Sequence, residues 1–140
     1  MDMEKFTERS RGFLQAAQTI AIREENQRVV PEHLLKALMD DDQGLAANLI
    51  TRAGGDAQAV RRAVDETVAR LPKVSGGDGQ VYVDSSLVRV MDEAQKIAKQ
   101  AGDSFVPVER VLMALAMVNT RARDALSAGQ VTTQALNDAI

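Results

Sequence analysis

The feature that most constrains this chain is that it repeats itself. Shifted by 77 positions, Ala17-Gln18, Ile20 and Ala21 fall on Ala94-Gln95, Ile97 and Ala98. Glu32 falls on Glu109, Leu35 on Leu112, and Ala37-Leu38 on Ala114-Leu115. Leu49 falls on Leu126 and, after a small gap, Ala53-Gly54 corresponds to Ala128-Gly129. Each half is below the size at which a core is comfortably stable alone, so the two copies must share an interface. The expectation is one all-α domain over residues 1–140, built from two tandem four-helix repeats packed with pseudo-twofold symmetry. Repeat one covers about 1–71, a linker about 72–84, and repeat two about 85–140.

The helices can be read from their apolar spacing and their ends. Thr7 before Glu8 starts the first, which carries Phe13, Leu14, Ala17, Ile20 and Ala21 on one face. Pro31-Glu32 opens the second, since proline suits a first turn whose N–H groups are unpaired anyway. Gly44 separates the run Asp40-Asp41-Asp42 from a third helix, and Gly54-Gly55 closes that helix. Asp56 caps a fourth, with Val60, Val64, Val68 and Leu71 inward. In the second half, Ser85 or Ser86 caps a helix that Gly102 ends, and Val108-Glu109 opens the next. A short helix around Ala122 and Leu126 ends near Gly129, and Thr132 or Thr133 caps the last, with Leu136 and Ile140 inward. The linker holds Gly76, Gly77 and Gly79, followed by an extended piece at Val81-Tyr82-Val83.

Composition narrows the function. With 17 basic against 20 acidic side chains, neither half offers a basic face for nucleic acid. Four aromatics, Phe6, Phe13, Tyr82 and Phe105, leave little for base stacking. The absence of cysteine excludes thiolate catalysis and fits a reducing compartment. One histidine cannot supply a site that needs two imidazoles. The segment Met1-Asp2-Met3-Glu4-Lys5 is charged from its second residue, with no apolar signal core after it. The longest apolar run, Val111 to Val118, falls far short of the ~18 residues of a membrane span.

Catalytic motifs are missing too. No G-x-x-x-x-G-K-[ST] phosphate loop occurs, and Gly76-Gly77-Asp78-Gly79 lacks the following lysine. The Asp40–Asp42 run lacks the alternating ligands and terminal Glu of a calcium loop, and reads as a solvated helix end. Ser85-Ser86 and His33 make no triad. His33, one turn into a short helix beside Leu34 and Leu35, reads as a packed or capping side chain. No catalytic residue, metal site or cofactor is expected in this chain.

The repeat resembles the Clp N-terminal domain that precedes the ATPase modules of the AAA+ unfoldases. The resemblance rests on Glu4-Lys5-Phe6-Thr7, Ala17-Gln18 with Ile20-Ala21, Pro31-Glu32-His33-Leu34-Leu35, Val88-Arg89-Val90 and Gly102-Asp103-Ser104-Phe105-Val106. The linker Leu71-Pro72-Lys73-Val74 followed by Gly76-Gly77 favours the disaggregase branch over the protease-unfoldase branches. One departure is Glu109-Arg110-Val111-Leu112, where the first repeat has Glu-His-Leu-Leu.

The resemblance implies a substrate-recognition domain that binds exposed apolar segments of unfolded or aggregated protein and has no catalysis of its own. Adaptor docking, as in the protease-unfoldase branches, is the alternative. ATP and Mg²⁺ belong by this resemblance to ATPase modules outside the chain. It further implies a homohexameric full-length protein in the cytoplasm, working with the DnaK chaperone system, and a monomeric isolated domain. No nucleic-acid or membrane partner is expected.

Two sets of site residues follow. Thr7, Asp103 and Glu109 lie at helix boundaries, where capping explains them. The resemblance also links these positions with handling protein substrates. An apolar surface for unfolded chains needs exposed aliphatic side chains. The candidates are Met91 with Val88, Phe105-Val106, and Leu14 on the matching helix of repeat one. Helical spacing fits core packing for each of these as well.

Overall fold

The computed structural model describes residues 2–74 and 80–140. The glycine cluster at Gly76, Gly77 and Gly79 lies outside the described residues. After a 3-10 turn at Met3–Lys5, the elements are α1 (Glu8–Arg23), β1 (Arg28–Val29), α2 (Pro31–Met39), α3 (Leu45–Arg52) and α4 (Ala57–Ala69). Then come β2 (Tyr82–Val83), α5 (Ser85–Gln100), α6 (Val108–Met117), α7 (Arg121–Ala128) and α8 (Thr133–Ala139). Among the described residues the fold is all-α apart from the two-residue strands.

Most helix ends follow the local chemistry. The Thr7 hydroxyl accepts from Ser10 N (3.1 Å), Asp56 from Ala59 N (3.1 Å), and Thr132 from Ala135 N (3.1 Å). Such caps satisfy N–H groups that have no partner within the helix. Gly54 (φ 86) and Gly102 (φ 82) take the left-handed conformation that ends α3 and α5. The start of α5 differs from expectation. Asp84, not a serine, caps it, its carboxylate accepting from Ser86 N (3.0 Å) while Ser85 is already helical. Ile140 also differs: it lies beyond the last turn of α8 and is 47% exposed, whereas Leu136 is fully buried.

The repeat is visible in three dimensions, with one shift of register. Through α2 and α6 equivalent residues stand 77 apart. In the second repeat the helix is one residue longer and the connection to the third helix two residues shorter, so the separation then becomes 76. Buried Ala46, Leu49 and Ile50 therefore match Ala122, Ala125 and Leu126. Leu126 is the counterpart of Ile50 rather than of Leu49. Likewise Gly54 matches Gln130, and both have positive φ. A lone side chain can match at the wrong offset, but a set of three buried positions cannot.

Contacts between the repeats come in symmetric pairs: α4 on α7 and α8 on α3, α2 on α7 and α6 on α3. Backbone bridges obey the same rule. Phe6 bridges Val106 in parallel, and β1 pairs with β2 in parallel through Val29 and Val83. Thr7 N donates to Val106 O (3.1 Å), and Asp84 N donates to Val29 O (3.0 Å). Phe6 thus lends an extended residue to the second half, and Val83, its counterpart 77 residues on in the segment expected as linker, lends one to the first. The two α3–α4-type turns also meet, with Asp56 N donating to Gly129 O (2.9 Å). A Cβ on Gly129 would sit 2.4 Å from Val60 Cγ2 and 2.6 Å from Asp56 O, so only glycine fits there. The core is continuous across both halves, from Leu14 and Leu35 to Met91, Leu112 and Leu136.

Candidate functional site

The structure brings together Thr7, Asp103, Phe105 and Val106. The segment 103–106 connects α5 to α6 and is held from both ends. Asp103 N donates to Ala98 O (2.9 Å), and Val106 N donates to Lys5 O (2.7 Å). Thr7 caps α1, and its hydroxyl is also bonded to Ser10 Oγ (3.0 Å), which itself donates to Val106 O (2.9 Å). Val106 is buried by this pairing. Phe105, next to it, points out and is 56% exposed, because successive residues of an extended segment face opposite sides. A cleft of about 340 Å³ lies beside it, lined by Lys5, Gln95, Lys99, Asp103 and Phe105.

Asp103 does not act as a helix cap. Its carboxylate accepts from Arg110 Nε (2.9 Å), and the Arg110 side chain is only 12% exposed. Arg110 was legible only as a departure from the repeat, yet it fixes the Phe105 segment against α6.

Glu109 stands apart from this cluster. It lines a separate cavity of about 110 Å³ with Leu45, Leu49, Arg52, Leu112 and Ile140. Its counterpart Glu32 is buried, and that burial raises the Glu32 carboxyl above its ordinary range. A hydrogen bond from its own backbone and the charge of Arg121 oppose the rise.

Three of the apolar candidates are core residues. Met91 is fully buried, Leu14 is 6% exposed, and both belong to the common core. The two are repeat counterparts on α1 and α5, so the spacing that singled them out is the inward face of each helix. Val106 is the third, closed over by Phe6 and Thr7. Val88 is half-buried on α5. Phe105 alone of the apolar set presents a large exposed surface.

His33 is buried and fully engaged. Its Nδ1 accepts from Val30 N (3.0 Å), and its Nε2 meets Asn26 Oδ1 (2.9 Å). Nδ1 is therefore unprotonated and Nε2 carries the hydrogen. Asn26 Nδ2 donates on to Pro72 O (3.1 Å), tying α2 to the start of the linker. Burial lowers the His33 pKa to about 4, with the charge of Glu24 acting in the other direction. Among the described residues no acidic or histidine cluster could hold a metal ion. Among them, no helix is long and apolar enough to cross a membrane.

Sequence reasoning also missed β1 and its surroundings. The signal was present as β-branched Val29-Val30 ahead of Pro31, with Val29 the repeat counterpart of Val106.

The geometry is that of a duplicated helical domain, cross-stitched by two parallel bridges, with Phe105 exposed on an anchored loop. The model of the Clp repeat (R) N-terminal domain matches residues 5–129, and the chain belongs to that family. It matches the N-terminal region of the ClpB chaperone of Mesorhizobium japonicum at 50% identity over 141 residues, and that of Agrobacterium fabrum at 52%. Each match covers 100% of this chain and 16% of the relative, so the chain spans about a sixth of those proteins. Among solved structures, the Hsp104 N-terminal domain from Candida albicans superposes with a TM-score of 0.83 at 20% identity, covering 96% of this chain and 88% of that one. The N-terminal domain of ClpD from Arabidopsis thaliana gives 0.70 at 22% identity, covering 99% and 96%. Within that family the chain is thus similar to the N-terminal region of ClpB chaperones.

Proposed function

We propose that this domain captures exposed apolar segments of unfolded or aggregated proteins for a ClpB-type ATP-dependent disaggregase. The observation that carries this reading is Phe105: 56% exposed beside a cleft, on a backbone pinned by Lys5 on one side and Arg110 on the other. An aromatic held in water by a rigid frame is a ready contact for a chain that offers greasy side chains and no fixed shape. Lys5, Gln95 and Lys99 around the cleft supply adaptable polar contacts. A single aromatic gives weak capture, which suits a domain that must pass its client onward. Tethering the client raises its local concentration near the machine even when each contact is weak.

The rest of the machine belongs to the same proposal. ATP and Mg²⁺ would act in ATPase modules elsewhere in the full-length protein, assembled as a homohexamer in the cytoplasm beside the DnaK system. The deciding experiment is an NMR titration of the domain with a soluble unfolded protein. Shifts clustered at Thr7, Asp103 and Phe105 are expected. Silence there, with shifts induced instead by a folded adaptor, would favour the adaptor-docking N-domain of a ClpA- or ClpC-like protease unfoldase.

A further inference from the structure

The loop before α2 is the repeat counterpart of the loop that carries Phe105. Asn26, Arg28 and Val29 stand where Asp103, Phe105 and Val106 stand in the second repeat. Beside this loop lies a cavity of about 270 Å³ whose wall is largely apolar, from Val30, Leu71, Pro72 and Val74. Strand β1 forms one side of it. Tyr82 N donates to Gln27 O (3.0 Å) and Asp84 N to Val29 O (3.0 Å), so residues 27 and 29 face β2. Backbone groups alternate along a strand, so the Arg28 N–H and C=O face the other way. Arg28 lines the cavity, and its N–H and C=O have no hydrogen-bond partner among the described residues.

The rim is electrically balanced. Arg28 faces Asp84 at 3.8 Å, and Lys73 faces Glu24 at 3.3 Å. A neutral mouth, an apolar hole and an Arg28 backbone edge with no partner among the described residues together specify one kind of ligand. That ligand is an uncharged, extended stretch of polypeptide: its backbone pairs with Arg28, and one aliphatic or aromatic side chain enters between Val30 and Leu71. We propose that this is a second capture site, reading main chain as well as side chain. The proposal rests on the reading above that the clients are unfolded polypeptides. It adds that they bind at two counterpart loops, and that this one uses strand pairing.

The test is a titration of the isotope-labelled full chain with an end-capped, uncharged peptide of leucine, serine and glycine. The same peptide N-methylated at alternate residues is the comparison. The expected result is a downfield shift of the Arg28 amide with shifts of the Val30, Leu71 and Val74 methyls, and binding about tenfold weaker for the N-methylated form. Val74→Asp should weaken binding about tenfold with unchanged thermal stability, since Val74 is 45% exposed. Equal binding of both peptides, or indifference to Val74→Asp, would overturn the proposal. Shifts confined to the Phe105 loop would overturn it while leaving client capture intact. A peptide and an unfolded protein that both fail to shift either loop would remove both readings.

Discussion

Asp103 accepts a 2.9 Å hydrogen bond from Arg110 at the place where, 77 residues earlier, Asn26 meets His33 at 2.9 Å. The duplicated fold keeps a side-chain clasp between the loop after the first helix of each repeat and the helix that follows. It builds the clasp from neutral partners in one copy and from charged partners in the other. The neutral version is buried and extends to Pro72; the ionic version is partly exposed and braces the Phe105 segment.

The ionic clasp can be tested by exchanging it for the neutral one. Asp103→Asn and Arg110→His, each alone, leave a mismatched partner and should cost about 1–2 kcal/mol. The double variant restores a matched pair and should recover part of that loss. A double-mutant cycle by urea unfolding measures the coupling, and purely additive losses would show that the two side chains act independently.

The neutral clasp makes stability depend on pH. Folding holds His33 near pKa 4 against an ordinary 6.5, so as pH falls the unfolded chain takes up the proton first. The contribution is fully present above 6.5 and drains away as pH falls toward 4, by about 3 kcal/mol in total. Glu32 works in the opposite sense, because burial raises its carboxyl. Comparing the wild type with His33→Gln therefore isolates the histidine. Chemical unfolding at pH 7.5 and pH 4.5 should show a markedly smaller difference for the variant.

Two glycines should respond in opposite directions to alanine. A Cβ at Gly129 meets Val60 and the Asp56 carbonyl, so Gly129→Ala should destabilise by about 2 kcal/mol or more. A Cβ at Gly12, inside α1, meets nothing within 4 Å, so Gly12→Ala should stabilise by about 0.5–1 kcal/mol. Melting temperatures of the two variants check both signs.

Met91 and Phe105 separate core from capture surface. Met91→Ala should lower stability by about 2–4 kcal/mol, because a fully buried side chain leaves a cavity. Phe105→Ser should leave the melting temperature within about 1 °C and weaken binding of an unfolded client several-fold. A Phe105→Ser domain that binds as well as wild type would remove Phe105 from the function.

Much of this was legible in the chain itself. Helix boundaries were readable because Thr7, Pro31, Asp56, Gly102 and Thr132 act locally, on N–H groups and φ angles within a few residues. The pseudo-twofold plan was readable because both copies keep the same apolar stripes. What could not be read was which apolar residue faces out. Leu14 and Met91 carry the same spacing a groove would need, and burial is decided by neighbours distant in sequence. The Arg110–Asp103 contact and the Phe6–Val106 bridge were invisible for a related reason. The first depends on the orientation of two side chains seven residues apart, and the second on backbone groups 100 residues apart.

The reciprocal loan of extended residues between the halves has a mechanical corollary. Both Phe6–Val106 and Val29–Val83 join one half to the other, so neither half can come away without unmaking a rung in its twin. Nicking the polypeptide after Val74 would therefore leave two fragments that still migrate as a single particle.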